Sequence, residues 1–193
     1  MKFKTLFSSS LLLAALALTG CSPQDASKPA TPAKQEVSVD IVAAQAKGFA
    51  VGALMSSNTV YVFFDPQCPH CGHLWETAAP LQKKVKFVWI PVGWVNASST
   101  PQAAALLTAA SPAALMSEHE ALLAAGKGGL SASSSVAPDV AQSIKTNTAL
   151  LNSFGAESVP FIVAKNLKTG QTVSREGALE TAALADFLGL DAP

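Results

Sequence analysis

The feature that most constrains the fold is a pair of cysteines, Cys68 and Cys71, at the junction of two segments with contrasting patterns. Residues 59–64 are all β-branched or aromatic, which is typical of a buried strand. Residues 69–84 instead carry apolar side chains at helical spacing. Because positions i and i+3 share one face of a helix, the two sulfur atoms can meet across a single turn. A Cys-x-x-Cys pair at a strand-to-helix junction predicts a redox-active dithiol.

The residues of the motif predict different roles for its two cysteines. Pro69 suits the first position of a helix, where its missing N–H group costs nothing. Cys68 then lies beside free backbone N–H groups and the positive end of the helix dipole, which favour a nucleophilic thiolate. Cys71 lies one turn inside the helix and is expected to be the shielded, resolving thiol. We expect His70 to tune the Cys68 thiolate through its charge or a hydrogen bond; the alternative is a solvent-facing histidine without a role.

Two other uses of the cysteines are open at this point, namely half of a zinc site or a purely structural disulfide. Zinc takes four ligands and usually a second Cys or His pair, whereas the domain offers only His70, His73 and His119 besides the two cysteines. A structural disulfide across so short a loop would remove little entropy from the unfolded chain. We therefore expect neither a metal nor another cofactor.

Three further side chains are candidates with less specific signals. His119 stands between two glutamates on a helical pattern, which favours a solvated helix face. Trp75 follows the motif on the predicted helix, and packing is favoured over substrate contact. Asp65 ends the predicted strand close to the cysteines, where a turn role is favoured over proton transfer because strand ends commonly carry Asp.

The first twenty residues predict a secretory signal rather than a membrane-spanning helix. A basic start precedes an apolar run, residues 11–18, that is far shorter than the roughly 20 residues a span requires. The run ends in Leu-Thr-Gly-Cys, which resembles a bacterial lipoprotein processing box. That resemblance implies a signal of residues 1–20, a lipid on Cys21 and a periplasmic location, with the outer membrane favoured because the next residue is not aspartate. The alternative, ordinary cleavage after Ala17, would leave Cys21 as a free thiol.

Composition separates a linker, residues 21–36, from one folded domain, residues 37–193. The linker holds three prolines among small and polar residues and no large apolar side chain, so it cannot bury enough surface to order itself. The domain is long enough for a single core. The chain has 13 basic and 13 acidic residues, a balance that argues against a nucleic-acid binder, because phosphate recognition needs a surplus of Lys and Arg.

Patterns along the domain predict the order β-β-α-β, a helical block, and then α-β-β-α. Between the third strand and the next clear helix, an Ala- and Leu-rich region broken by prolines and a glycine cluster predicts two or three helices. The order is the thioredoxin arrangement, so we predict an α/β protein with a thioredoxin fold and an inserted helical subdomain. Strands are expected at residues 49–53, 59–64, 85–92, 159–163 and 171–174, and helices at 69–84, 139–154 (ending at Gly155) and 178–188.

Residues 63–75 resemble the active-site segment of the periplasmic thiol:disulfide interchange proteins of the DsbC/DsbG group. Further similarity, to the strand and inserted helices of the DsbG catalytic domain, lies in residues 90–94, 99–107 and 110–113. The resemblance covers about residues 49–190. It implies an enzyme that exchanges a disulfide or dithiol of Cys68 and Cys71 with client proteins, and a membrane redox partner of the DsbD or DsbB type.

The resemblance also implies a substrate-binding loop at Val159 and Pro160, where this family has a cis-proline that faces the cysteines. The residues around the motif depart from the group in two ways. The dipeptide Pro69-His70 is that of the oxidase DsbA, and Val159 stands where DsbC and DsbG have threonine. A reductase or isomerase is favoured. The alternatives are a DsbA-like dithiol oxidase or, outside enzymes, a metal-binding or structural lipoprotein.

A third departure concerns the segment before the first strand. DsbC and DsbG carry an N-terminal dimerisation domain, whereas here only residues 37–48 separate the linker from the first strand. Even a small independent domain needs about 40 residues. We therefore expect a monomer and, for lack of a second catalytic domain, a poor isomerase.

Overall fold

The computed structural model describes residues 34–191, which hold six α-helices and one five-stranded sheet. The predicted signal, Cys21 and most of the predicted linker lie outside the described residues. In chain order the elements are α1 (Val39–Gln45), β1 (Phe49–Gly52), β2 (Thr59–Phe64), α2 (Pro69–Ala78), β3 (Lys86–Pro91), α3 (Ser99–Thr108), α4 (Pro112–Ala124), α5 (Pro138–Ser153), β4 (Phe161–Lys165), β5 (Thr172–Glu176) and α6 (Thr181–Leu188).

The sheet has the strand order β1-β3-β2-β4-β5, and this places β2 at its centre. Strands β2 and β3 run parallel, and the other neighbouring pairs are antiparallel. Val62, Phe63 and Phe64 of β2 are fully buried because helices cover the sheet's centre. The chain leaves this central strand at Phe64 and enters α2 five residues later, so the Cys68–Cys71 motif lies at the carboxyl end of the central strand.

The inserted helical subdomain follows β3, as predicted, and contains α3 and α4 before the chain continues into α5. Pro112 occupies the first turn of α4, where a missing N–H group is tolerated. Helices α3 and α5 pack through a small apolar cluster of Ala103, Ala104 and Ile144. Of the described helices, none is long and apolar enough to cross a membrane.

The predicted order of strands and helices is confirmed, and the structure differs from the prediction in several bounds and in one additional helix. The strand predicted at 159–163 begins at Phe161, after the loop of Val159 and Pro160, and the helix predicted at 178–188 begins at Thr181. Helix α1 was not predicted; Ser38 caps it by accepting a hydrogen bond from the Asp40 N–H group (3.2 Å), and Val39 and Val42 bury its apolar side. The helix predicted at 69–84 ends as an α-helix at Ala78 and continues as a 3₁₀ segment, Ala79–Lys83. Pro80 explains the change, since it lacks the N–H group that would continue the α-helical hydrogen bonding.

The last residues of the predicted linker contact the folded domain. The Gln35 N–H group donates to the Ser153 carbonyl oxygen (2.7 Å), and the Ser153 hydroxyl donates to Gln35 Oε1 (2.8 Å). Gly155, which follows the C-cap residue Phe154 of α5, has the positive φ of 66° that a helix-ending glycine adopts. The chain before α1 is therefore attached at the C-terminal end of α5.

Candidate active site

The start of α2 presents the two cysteines in the geometry that the motif predicts. Cys68 is the N-cap, with an extended backbone (φ −95°, ψ 113°), and Pro69 is the first helical residue. The Cys71 N–H group donates to the Cys68 carbonyl oxygen (3.0 Å), which closes the first turn. Both thiols are free, and they differ in burial: Cys68 is 7% exposed and Cys71 is fully buried.

The surroundings separate the acidities of the two thiols. A hydrogen bond from the Cys71 side chain is the largest cause that lowers the pKa of Cys68 to about 6, with smaller contributions from the backbone N–H groups of Cys71 and His70 and from the His70 charge. Burial and the hydrogen bond to Cys68 raise the pKa of Cys71 well above its usual range. At neutral pH the site therefore holds one thiolate, Cys68, backed by one protonated thiol.

The loop before β4 faces this pair across the site. The Val159–Pro160 peptide bond is cis, and in its thiol form Cys68 donates to the Val159 carbonyl oxygen at 3.4 Å. Val159 and Pro160 are both buried, and β4 begins directly after them. The fold thus brings the two segments that the sequence analysis singled out, 91 residues apart in the chain, into direct contact.

Asp65 has a structural role, as favoured from the sequence. It is fully buried, and its Oδ1 atom accepts hydrogen bonds from the Gln67 N–H group (2.8 Å) and the Ser99 hydroxyl (2.7 Å). Its Oδ2 atom accepts from the N–H groups of Trp94 (2.6 Å) and Val95 (2.9 Å). This carboxylate therefore joins the active-site loop to the loop after β3, a contact that the sequence pattern did not indicate.

The prediction that His119 lies on a solvated helix face is wrong. The side chain is fully buried, and its Nδ1 atom accepts a hydrogen bond from the Leu130 N–H group (3.1 Å). With Nδ1 accepting, Nε2 donates to the Pro66 carbonyl oxygen (2.6 Å), two residues before Cys68. Burial lowers the pKa of His119, which agrees with a neutral ring.

A second polar connection joins the helical insertion to the active-site loop. Gln67 donates from Nε2 to Gln102 Oε1 (2.6 Å) and to the Gly128 carbonyl oxygen (2.9 Å). Gln102 in turn donates to the carbonyl oxygens of Gly128 and Leu130, both at 2.9 Å. The glutamines thus satisfy the carbonyl groups of Gly128 and Leu130 and join the insertion to the active-site loop.

The remaining predicted positions of α2 divide between surface and core. His70 is exposed, so it can contact solvent or a bound molecule. His73 is also exposed and lies 2.9 Å, Nε2 to Oε1, from Glu180. Trp75 is buried, and its ring packs edge-on against Trp89 with centroids 5.0 Å apart, which confirms that it serves packing.

Glu120 is a residue of the site that sequence reasoning missed. Its carboxyl group lies against Gly72 in the first turn of α2, and its Oε1 atom is buried without a hydrogen-bond partner. Burial, followed by the nearby charges of Cys68 and Glu76, raises the pKa of Glu120 to about 7. Only the missing side chain at position 72 could have hinted at the contact. Among residues 34–191, no three His, Cys, Asp or Glu residues lie close enough together to hold a metal ion.

Comparison with known proteins places this geometry in context. No protein-family profile matches the chain. The thiol:disulfide interchange protein DsbG of Pseudomonas aeruginosa is 32% identical over 148 residues, which is 75% of this chain and 56% of that protein. DsbG of Escherichia coli is 33% identical over 105 residues, 53% of this chain and 42% of that protein. The chain thus spans about half the length of the curated relatives it matches.

Solved structures show the fold. The catalytic domain of Proteus mirabilis ScsC aligns with a TM-score of 0.59 at 16% identity, covering 78% of this chain and 92% of that one. A periplasmic thioredoxin-like protein from Salmonella enterica serovar Typhimurium aligns with a TM-score of 0.61 at 20% identity, covering 80% and 97%. These matches confirm the predicted thioredoxin fold. The chain is a thioredoxin-fold protein related to the thiol:disulfide interchange proteins of the DsbG type, as its motifs indicated.

Proposed function

We propose that this protein is a thiol-disulfide oxidoreductase that exchanges a disulfide or dithiol of Cys68 and Cys71 with client proteins. The observation that carries the proposal is the pairing of a thiolate-favouring Cys68 with a buried, protonated Cys71 in the first turn of α2. A thiolate with a low pKa is both a reactive nucleophile and a good leaving group at neutral pH. The relationship to DsbG proteins supports the same chemistry.

The exchange proceeds in two displacements. The Cys68 thiolate attacks one sulfur atom of a client disulfide, which forms a mixed disulfide and releases the other client sulfur as a thiolate. Cys71 then loses its proton to solvent and attacks Cys68 Sγ; the Cys68–Cys71 bond forms, the mixed disulfide breaks and the remaining client thiolate leaves. Two electrons pass from the dithiol to the client. The reverse sequence oxidises a client dithiol.

Val159 and Pro160 are proposed to bind the client chain, and His70 and Pro69 to tune the reactive thiol. The Val159 carbonyl oxygen lies 3.4 Å from Cys68 Sγ, so a client cysteine joined to Cys68 would have its backbone beside this loop. Exposed His70 contributes to the lowered pKa of Cys68, although less than the Cys71 hydrogen bond does.

The direction we favour is reduction or isomerisation, with isomerisation the weaker activity of a monomer, because the curated relatives that match the chain are DsbG proteins. The Pro-His dipeptide and Val159 make DsbA-like oxidation the alternative. The equilibrium constant of the Cys68–Cys71 pair with glutathione separates these directions. A strongly oxidising value would favour the oxidase, since stabilising the thiolate stabilises the reduced form.

A periplasmic location is proposed on the basis of the predicted secretory signal and of the periplasmic thioredoxin-like protein from Salmonella that shares the fold. The lipoprotein box supports a lipid on Cys21 that attaches the domain to a membrane, with the outer membrane favoured. Residues 21–36 would then be the linker between that anchor and the catalytic domain, residues 37–193. We also propose that the clients are proteins with cysteines or disulfides. A membrane protein of the DsbD or DsbB type would be the redox partner.

Trapping of mixed disulfides tests the proposed function and the roles of the two cysteines. Cys71→Ala removes the resolving thiol, so Cys68 is expected to accumulate in mixed disulfides with client proteins. Cys68→Ala leaves only the fully buried thiol and is expected to trap few clients. Non-reducing electrophoresis of the two variants, with the double variant as control, gives the measurement. Equal trapping by the two single variants, or none by either, would contradict the assignment.

A further inference from the structure

The contact between Glu120 and Gly72 joins the helical insertion to the active-site helix. A Cβ atom at position 72 would overlap Glu120 Oε2 and lie 2.9 Å from Glu120 Cδ. Only glycine therefore leaves room for the carboxyl group at this place on α2. Gly72 directly follows Cys71, and its N–H group points to the Cys68 carbonyl oxygen (3.4 Å), so the carboxyl group lies against the turn that carries both cysteines.

The carboxyl group has no stabilising partner at its buried oxygen. Oε1 makes no hydrogen bond, and the charges that act on the group, those of Cys68 and Glu76, are of its own sign. His73 lines the same cavity of about 290 Å³, but its ring is 2.9 Å from Glu180. His119, which precedes Glu120 in the chain, is neutral and donates a hydrogen bond to the Pro66 carbonyl oxygen. An ionised Glu120 is therefore unfavourable whenever Cys68 is a thiolate.

The charge of Cys68 depends on the redox state of the two cysteines, and the pKa of Glu120 therefore depends on that redox state as well. In the dithiol form the pKa of Cys68 is about 6, so Cys68 is mostly a thiolate at neutral pH. The negative charge of this thiolate helps to raise the pKa of Glu120 to about 7. In the disulfide form the sulfur atoms carry no charge, so this repulsion is absent. Two groups that interact and titrate in the same pH range exchange protons as a coupled pair.

We propose that Glu120 is a positioning residue for the thiol chemistry, which acts through Cys68 by holding a proton while Cys68 is a thiolate and releasing it when the Cys68–Cys71 disulfide forms. The inference rests on the proposed function. In reduction by two glutathione thiols, the Cys68–Cys71 bond breaks, glutathione disulfide forms and two electrons pass to the cysteines. Of the two thiol protons, Cys71 takes one, and Glu120 takes up part of the other, which would otherwise pass entirely to solvent.

The pH dependence of the equilibrium with glutathione tests whether Glu120 takes up a proton when the disulfide is reduced. Without Glu120, reduction at pH 7 releases close to one proton, and the logarithm of the equilibrium constant rises by about one per pH unit. The wild-type chain is expected to show a smaller slope between pH 6 and 8, and Glu120→Gln a slope near one. Glu118→Gln, an exposed glutamate on the same helix, is the matched control and is expected to behave as wild type.

Two further measurements exclude a merely structural effect. Glu120→Gln is expected to leave the midpoint of the Cys68 thiolate titration close to the wild-type value, because a carboxyl group with a pKa of about 7 is mostly protonated near pH 6. An unchanged midpoint would show that the variant leaves the surroundings of Cys68 intact. Carboxyl ¹³C spectra of the wild-type chain are expected to give Glu120 a higher pKa in the reduced protein than in the oxidised one. If Glu120→Gln does not fold, Gly72→Ala, which displaces the carboxyl group from α2, is expected to raise the slope as well.

The outcomes distinguish this inference from the function on which it rests. A wild-type chain that does not exchange with glutathione would overturn the proposed function and the inference with it. A chain that exchanges, but shows the same slope as Glu120→Gln and the same Glu120 pKa in both redox states, would overturn only the role of Glu120.

Discussion

The acidity of Cys68 depends mainly on its partner cysteine. The side-chain hydrogen bond from Cys71 contributes most to the lowered pKa, whereas the charge of His70 contributes least among the causes identified. The histidine of the motif, which the sequence singles out as the tuning residue, therefore modulates a thiolate that the helix start and Cys71 already stabilise.

Titration of the single thiolate by its ultraviolet absorbance checks this order of causes. In the wild-type chain we expect a midpoint near pH 6, well below the unperturbed value of about 8.5. Cys71→Ala is expected to raise the midpoint by more than His70→Ala does, because it removes the larger contribution. A larger shift with His70→Ala would show that the histidine charge dominates instead.

The same ionisation links stability to pH. The pKa of Cys68 is lower in the folded protein than in the unfolded chain, so its ionisation increases the free energy of unfolding of the reduced protein. This contribution is fully present above about pH 8.5. That contribution is lost as the pH falls through about 6. Formation of the disulfide removes it altogether.

Among the secondary-structure elements, the helical insertion supports the active-site loop rather than merely extending the domain. His119 of α4 donates to the Pro66 carbonyl oxygen, and Gln102 of α3 bonds Gln67. Both contacts act on Pro66 and Gln67, the two residues that precede Cys68. Loosening of α3 or α4 would therefore change the position of the nucleophile.

Substitution of His119 tests this support. Burial lowers its pKa in the folded state, so below about pH 6.5 the unfolded chain binds a proton that the folded protein resists, and stability falls. His119→Gln keeps one donor and one acceptor and is expected to lose that part of the pH dependence. His119→Phe orphans two buried backbone groups and is expected to cost about 1–3 kcal/mol for each.

Urea unfolding at pH 5, 6 and 7 measures both effects. His73→Gln is the control, since His73 is exposed. A pH dependence of stability that is the same for wild type and His119→Gln would show that the ring does not resist protonation.

At the scale of the complete domain, the distribution of exposed apolar side chains is relevant to the oligomeric state. The exposed large apolar residues of the described part of the chain lie in three separate loops: Leu54 and Met55, Trp94 and Val95, and Leu167. Stable dimers bury about 1,200–2,000 Å² and have a continuous interface core. Because none of the three loops by itself supplies such a core, we predict that the protein is a monomer.

Sedimentation of residues 34–193 at micromolar concentration checks the monomer, and a scrambled-ribonuclease assay checks the activity that accompanies it. We expect a monomer that reduces or oxidises clients and reshuffles disulfides weakly. A stable dimer with strong isomerase activity would contradict this prediction.

Local pattern was enough to predict much of this protein. Strand β2 has the bounds that its β-branched and aromatic residues indicated, and the Cys-x-x-Cys motif occupies the predicted start of α2. Periodicity and helix-end preferences act over a few residues, so they can be identified in the sequence alone. The seven-residue α1 was missed because so short a helix depends on the packing of Val39 and Val42.

The surroundings of the motif depended instead on where the inserted helices pack. His119 and Pro66 are 53 residues apart in the chain, and Glu120 reaches Gly72 from the same helix. A histidine between two glutamates has the same local pattern whether its helix face is solvated or buried. The burial of His119 and the unpartnered carboxyl group of Glu120 result from packing between distant segments. Periodicity along one segment does not encode such packing.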